Sequence, residues 1–103
     1  YKSSYESYIK PVTYAVIKHG MVGLTKYFSS LYGKKNVRVN MVSPGPVKNK
    51  QNRRLLSEIE NMIPMGRLGN PKDILGLLFF LANDDSSYVT GQNILVDGGK
   101  TII

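Results

Sequence analysis

The feature that most constrains this chain is a shortage of strands. Only two segments carry the β-branched, turn-bounded pattern of a strand: 36–42 (Asn-Val-Arg-Val-Asn-Met-Val) and 93–96 (Asn-Ile-Leu-Val). Helical periodicity surrounds them at 13–31, 53–62 and 70–82. The order is therefore αβααβ, which argues an α/β fold with a parallel pair joined by a helical crossover. Parallel sheets are normally buried on both faces, and two strands give three helices little to cover. The chain therefore reads as part of a larger sheet, either a fragment or one that borrows strands from another chain.

Local signals sharpen these elements. Ile17, Met21, Leu24, Phe28 and Leu31 follow at steps of four and three, the stripe of an amphipathic helix, with Thr13 as its expected N-cap and Gly33 as its stop. Gly20 and Gly23 weaken that helix by about 1 kcal/mol each relative to Ala. Their expected compensation is close approach of another helix or sheet, with burial on more than one side. Ser43-Pro44-Gly45-Pro46 ends the first strand, since proline cannot continue a central ladder. Leu55, Leu56, Ile59 and Met62 mark a second, short helix closed by Pro64. Asn70-Pro71-Lys72-Asp73 is a third helix start: a capping Asn, a Pro in the first turn, and an acid at the positive end. Residues 1–12, with Tyr1, Tyr5 and Tyr8 among Ser and Lys, read as a loop.

Composition excludes several chemistries. There is no Cys, so thiolate catalysis, disulfides and zinc–thiolate sites are absent. The single His19 cannot make a His-based metal cluster, and no metal is expected. No apolar run approaches the roughly 18 residues of a membrane span. The start Tyr1-Lys2-Ser3-Ser4 has no basic-then-apolar pattern, so neither a signal peptide nor a membrane partner is expected, and a cytoplasmic location is. Charge is lopsided: residues 1–54 hold 11 Lys or Arg and one acid, whereas residues 55–103 hold three bases and six acids. The bases are scattered and carry no nucleic-acid-binding signature, so a solvated face or the rim of an anionic ligand is the reading, with no nucleic-acid partner.

Tyr14 and Lys18 stand four apart on the first helix and so lie one above the other. A tyrosine hydroxyl, with a pKa of ~10, is a poor base near neutrality. An ammonium at ~5 Å in an effective dielectric of ~20 favours the phenolate by about 3 kcal/mol, roughly two pKa units. That moves the hydroxyl toward the range useful for proton transfer to or from an alcohol or carbonyl oxygen. Taken alone, such a pair is more often surface packing.

Four further segments follow in order, and with them the chain resembles the C-terminal half of a short-chain dehydrogenase/reductase. Tyr14 and Lys18 resemble that family's Tyr-x-x-x-Lys. Asn36-Val37-Arg38-Val39-Asn40 resembles the next strand, and Ser43-Pro44-Gly45-Pro46-Val47 the Pro-Gly cofactor loop. Arg67 with Pro71 and Asp73-Ile74 resembles the start of the next core helix. Residues 90–99, ending Asp97-Gly98-Gly99, resemble the final strand.

The resemblance implies a doubly wound Rossmann-type parallel sheet of which residues 1–103 supply the last two strands, the N-terminal dinucleotide-binding half being absent. Residues 13–33 would be the catalytic helix, 44–66 the cofactor and substrate loop with its lid, and 70–99 the last helix and strand. It implies an NAD or NADP cofactor and a small carbonyl/alcohol substrate. Tyr14 would be the general acid/base. Lys18 would bond the nicotinamide ribose, Pro44 and Gly45 would line the cofactor site at a strand's C-terminal end, and the Val47 backbone would hold the carboxamide. A homo-oligomer, dimer or tetramer, is also implied. The departures are specific. No Gly-x-x-x-Gly-x-Gly loop precedes Tyr14, so the fragment alone is expected to be inactive, and Asn49 stands where a Thr is common. The family's serine falls at Ser3 or Ser4 by spacing, or upstream of residue 1 if 1–12 is the inserted loop that some members carry. Asp73 and Asp97 read as cap and turn residues, and His19 as a packing or solvent residue pointing away from Lys18. The competing reading is a non-catalytic truncated module whose basic half binds an anionic partner.

Overall fold

The computed structural model describes residues 11–48 and 53–102. Tyr1, Tyr5, Tyr8, the candidate serines Ser3 and Ser4, Asn49 and Lys50 lie outside the described residues. Helix α1 spans Val12–Tyr32. Strand β1 is Met41–Pro44 and β2 is Asn93–Val96. Helices α2 (Arg53–Glu60) and α3 (Pro71–Ala82) lie between them in sequence. The strands pair in parallel, Met41 opposite Asn93 through Pro44 opposite Val96. The expected αβααβ order with a parallel pair is the observed one.

Both ends of α1 differ from the sequence reading. Thr13 is not the cap: the helix starts at Val12 behind Pro11, whose carbonyl accepts the Tyr14 N–H at 2.9 Å. Proline's fixed φ sets the entry, and Thr13 falls inside the first turn. Gly33 does cap α1, as expected, but without the left-handed turn of a glycine stop. It keeps a right-handed conformation and opens a 3₁₀ turn, Gly33–Lys35. The reversal falls on Asn36, at φ 59°. Its N–H bonds the Gly33 carbonyl and the Val37 N–H bonds that of Tyr32, the two-bond pattern of a left-handed helix stop, in which Asn can stand for Gly.

The first strand also moves, from the expected 36–42 to 41–44. Among the described residues no strand pairs with 37–40; the Val39 carbonyl accepts the Gly91 N–H at 2.8 Å, and side chains supply further bonds. The Val39 N–H donates to Thr90 Oγ1 at 3.0 Å and the Asn40 amide donates to the Val89 carbonyl at 2.8 Å. Asn40 Oδ1 in turn accepts the Gln92 N–H at 3.1 Å. Every backbone group must be paired, but a ladder is only one way to pair it. Pro44 closes β1 without breaking it. The N–H groups of Met41 and Gly45 bond the β2 side, so the nitrogen of Pro44 lies on the other edge.

Arg38 pins these pieces together. Its guanidinium donates to Ser86 Oγ at 2.8 Å, to the carbonyls of Leu81 at 2.8 Å and Asn83 at 3.1 Å, and to that of Val89 at 3.4 Å. One side chain thereby satisfies the C-terminal end of α3 and the loop that leads into β2. Ser86 is fully buried and passes its own proton to the Asn83 carbonyl. The start of α3 is as expected, with Asn70 as N-cap and a proline in the first turn.

Helix burial differs most from expectation. Among the described residues of α1 only Thr25 is buried, while Val16, Ile17, Leu24, Tyr27 and Leu31 of α1 and Leu75, Leu78 and Phe79 of α3 are exposed. Nothing lies within 4 Å of where a Cβ would stand on Gly20 or Gly23, so their expected close neighbour is not among the described residues. The apolar core of the described residues is Ile63 and Leu68. The chain exposes 8422 Å², against about 5,800 Å² for a compact monomer of its mass. Its helices are patterned for partners that two strands do not provide.

Replacing Arg38 with Met should take one donor each from the buried Ser86 hydroxyl and the carbonyls of Leu81, Asn83 and Val89, of which Asn83 and Val89 keep another. We expect a loss of about 2–3 kcal/mol, read by chemical denaturation, with amide exchange accelerating first across residues 83–91.

Candidate functional site

Tyr14 and Lys18 face one another across a single turn of α1, with Lys18 Nζ 5.5 Å from the centroid of the Tyr14 ring. Both line a cavity of about 370 Å³ between α1 and the sheet, walled by Met41–Pro44 of β1 and by Asn93. The structure thus brings together three of the five residues singled out from sequence: Tyr14, Lys18 and Pro44. Three polar neighbours were missed. Ser43 donates its hydroxyl proton to Asn93 Oδ1 at 2.7 Å, which leaves its lone pairs free to accept. His19 lines the same cavity, against the expectation that it points elsewhere, and its Nδ1 lies 2.9 Å from the Ala15 carbonyl. Ser43 was signalled by its place before Pro44-Gly45. Asn93 had no local signal, because only the strand register brings it there.

Gly45 does not line this cavity; it is fixed by packing at the end of the sheet. A Cβ on it would stand 2.6 Å from Asp97 Cα and 2.7 Å from Asp97 Cβ. Its N–H bonds the Val96 carbonyl at 2.9 Å. Only glycine allows the two chain segments to pass this closely.

Val47 also lies beyond the cavity lining, yet its backbone is set for binding. It forms a parallel bridge with Gly69, in which Gly69 N–H bonds the Pro46 carbonyl and Lys48 N–H bonds the Gly69 carbonyl. In that pattern the flanking residues make the bonds, and the N–H and C=O of Val47 itself turn to the opposite side. Neither takes a backbone partner among the described residues. One donor and one acceptor on a single residue complement a primary amide.

Beyond this bridge a smaller cavity, about 160 Å³, is bordered by Arg67, Asp73 and Asp97. Arg67 holds Asp73 in a two-pronged ion pair at 2.7 and 3.0 Å, and Asp73 also accepts the Asn70 N–H at 2.7 Å. The Arg67 hydrogen bond, with that of Asn70, holds the Asp73 carboxyl down at about 2. Asp97 takes the N–H groups of Gly99 and Thr101, each at 2.9 Å. Its carboxyl is also held below the usual range, first by Thr101. Both acids are committed to cap and turn duties, as read from sequence.

Residues 2–101 match the family described as enoyl-(acyl carrier protein) reductase. A 3-oxoacyl-(acyl-carrier-protein) reductase of Thermotoga maritima is 40% identical over 93 residues, covering 86% of this chain and 38% of the relative. A 7alpha-hydroxysteroid dehydrogenase of Bacteroides fragilis is 42% identical over 94 residues, covering 86% of this chain and 36% of the relative. The solved short chain dehydrogenase of Leptospira borgpetersenii with bound NAD+ superposes with a TM-score of 0.87 at 39% identity, over 97% of this chain and 39% of that one. The chain thus spans less than two-fifths of the length of these relatives.

Two outcomes follow from these contacts. Gly45→Ala should cost about 1–3 kcal/mol, measured by thermal unfolding, because the added carbon meets main chain rather than a yielding side chain. For Asp73 the folded pKa lies below the unfolded one, so its contribution is complete above about pH 4 and fades as pH falls toward 2. A pH series of melts should show that loss, and Asp73→Asn should flatten it.

Proposed function

Since the chain belongs to the short-chain dehydrogenase/reductase family, we propose that it is the C-terminal portion of an NAD(P)-dependent oxidoreductase that interconverts a carbonyl and an alcohol. The observation that carries this reading is the Tyr14–Lys18 pair set in one cleft with Ser43 and Pro44, the residues that end β1. Open α/β sheets bind ligands at this end of their strands.

The residues present fit a nicotinamide, because the N–H and C=O of Val47, which take no backbone partner among the described residues, match its carboxamide. When bound, that cofactor supplies the carbon that gives or takes the hydride. Lys18 has three donors, enough to reach a ribose hydroxyl while its charge stays beside Tyr14. Tyr14 hands its phenolic proton to the carbonyl oxygen in reduction and takes the proton of the alcohol in oxidation. The ammonium beside the ring steadies the negative charge that Tyr14 carries once its proton has left. Pro44 lines the cleft, and Gly45 next to it is held by the crossing against Asp97. Residues 44–66 would form the cofactor and substrate loop with its lid, and 70–99 the last helix and strand.

The relatives, by name, act on a 3-oxoacyl group and on a 7alpha-hydroxysteroid, both carbonyl/alcohol pairs on unlike skeletons. The proposal therefore stops at a small carbonyl/alcohol substrate and at NAD or NADP. The bare faces of α1 and α3 support a parent that closes over them and assembles as a homo-oligomer. No described helix is long and apolar enough to cross a membrane, and a cytoplasmic parent accords with that. Lacking a Gly-rich phosphate loop, the 103 residues alone should not turn over.

The decisive experiment is Tyr14→Phe in the complete parent. We expect NADH binding, followed by fluorescence, to be retained while turnover falls by about 10²–10⁴. Undiminished turnover would remove Tyr14 from the mechanism.

A further inference from the structure

The turn that follows β2 touches both ends of the proposed lid. At the near end, Gly45 crosses the main chain of Asp97 and its N–H bonds the Val96 carbonyl. At the far end, Gly98 and Gly99 meet Ile63, Pro64 and Met65. A Cβ on Gly98 would stand 2.8 Å from Ile63 Cγ2, and one on Gly99 would stand 3.1 Å from Pro64 Cγ. The Met65 N–H donates to the Gly98 carbonyl at 3.1 Å. Both glycines hold a positive φ, 65° and 88°, which L side chains rarely adopt. Asp97 fixes that shape by taking the N–H groups of Gly99 and Thr101. The lid residue received there, Ile63, is buried, with 4% of its surface exposed.

The chain is continuously bonded from this contact back to α2. The N–H groups of Asn61, Met62 and Ile63 bond the carbonyls of Ser57, Ile59 and Glu60 at 3.1, 3.0 and 3.0 Å. Past Ile63 the chain turns back, with the Gly66 N–H on the Ile63 carbonyl at 2.7 Å. Helix α2 and Ile63 therefore form one stiff lever, about 12 Å long over the eight residues of the helix. We propose that Gly98 is a positioning residue for the substrate: by leaving room for Ile63, it sets the angle at which the α2 lever meets the bound molecule. This rests on the oxidoreductase reading, in which 44–66 is the cofactor and substrate loop. The two ends of that loop are held by different residues of the turn. Asp97 backs Gly45 on the cofactor side, and Gly98 receives Ile63 on the lid side. A change at Gly98 displaces the lever and leaves the crossing at Gly45 in place, so substrate and cofactor affinity separate.

The test uses the complete parent, with acetoacetyl-CoA as the carbonyl probe. Gly98→Ala and Ile63→Ala should each raise its KM about fivefold to tenfold, with kcat changed less and NADH affinity, followed by fluorescence, retained. Without cofactor or substrate, each should also speed tryptic cleavage after Arg53 and Arg54, the first residues of α2, about tenfold. Cleavage after Arg38, in the clamp, reports global unfolding and should not change. Because Gly98 acts through Ile63, the double variant should be no worse than the more affected single one. Pro64→Ala trims only the ring that faces Gly99 and is the milder variant where either of the others fails to fold. It should move KM and lid cleavage in the same direction by a smaller factor. An unchanged KM or unchanged lid cleavage in a folded variant, parallel acceleration after Arg38, a matching loss of NADH affinity, or additive effects would each overturn the proposal. Lid cleavage needs neither NADH nor turnover. A parent that binds no NADH therefore sinks the oxidoreductase reading, while cleavage still decides whether Gly98 holds the lever.

Discussion

The guanidinium of Arg38 is the constraint on which the arrangement rests. Its position just before β1 and its partners at Leu81, Asn83, Ser86 and Val89 join two parts of the chain more than 40 residues apart. Those partners are carbonyls at the end of α3, the Val89 carbonyl in the loop before β2 and a buried hydroxyl, groups with no helix or ladder to satisfy them. A planar fork of five donors can serve them together, and a lysine could not. The clamp sits before both strands, which pair in the register that sets Met41 opposite Asn93. That register in turn brings Asn93 to Ser43, and both into the cleft beneath Tyr14 and Lys18.

The clamp organises polar groups; it does not bury apolar ones. Ile63 and Leu68 are a small core for a chain of this length, and the stripe that patterns α1 faces outward. The chain spans under two-fifths of the length of the Thermotoga and Bacteroides relatives. The local site geometry is nevertheless complete in one respect. The helix carrying the Tyr–Lys pair and the strand that Pro44 ends belong to one continuous segment of the chain.

Legibility in the sequence followed the range of the interaction. The start of α3 was readable because cap, proline and acid act within four residues, and Asp73 does accept the Asn70 N–H. Strand β2 was readable from its composition and its Asp-Gly-Gly stop. The Tyr14–Lys18 juxtaposition was readable because helical spacing alone creates it. Errors arose where a distant segment competed with a local rule. Residues 37–40 look like a strand, but the loop before β2 bonds them through Thr90 and Asn40. Gly33 does end the α-helix, but the left-handed reversal expected there falls three residues later, on Asn36. His19 looked turned away because the sequence does not show where β1 crosses α1 to close the cavity. The burial of α1 was misjudged for a different reason. Periodicity reports that a face seeks cover, and it is silent on which chain provides it.

The crossing of Gly45 over Asp97 has an evolutionary consequence. The nearest obstacle to a side chain at 45 is a Cα, an atom that every amino acid possesses. Trimming position 97 all the way to glycine would still leave that atom in place. No exchange at the facing residue can therefore act as a suppressor, and position 45 is closed to neutral drift by its neighbour's main chain rather than by its neighbour's identity.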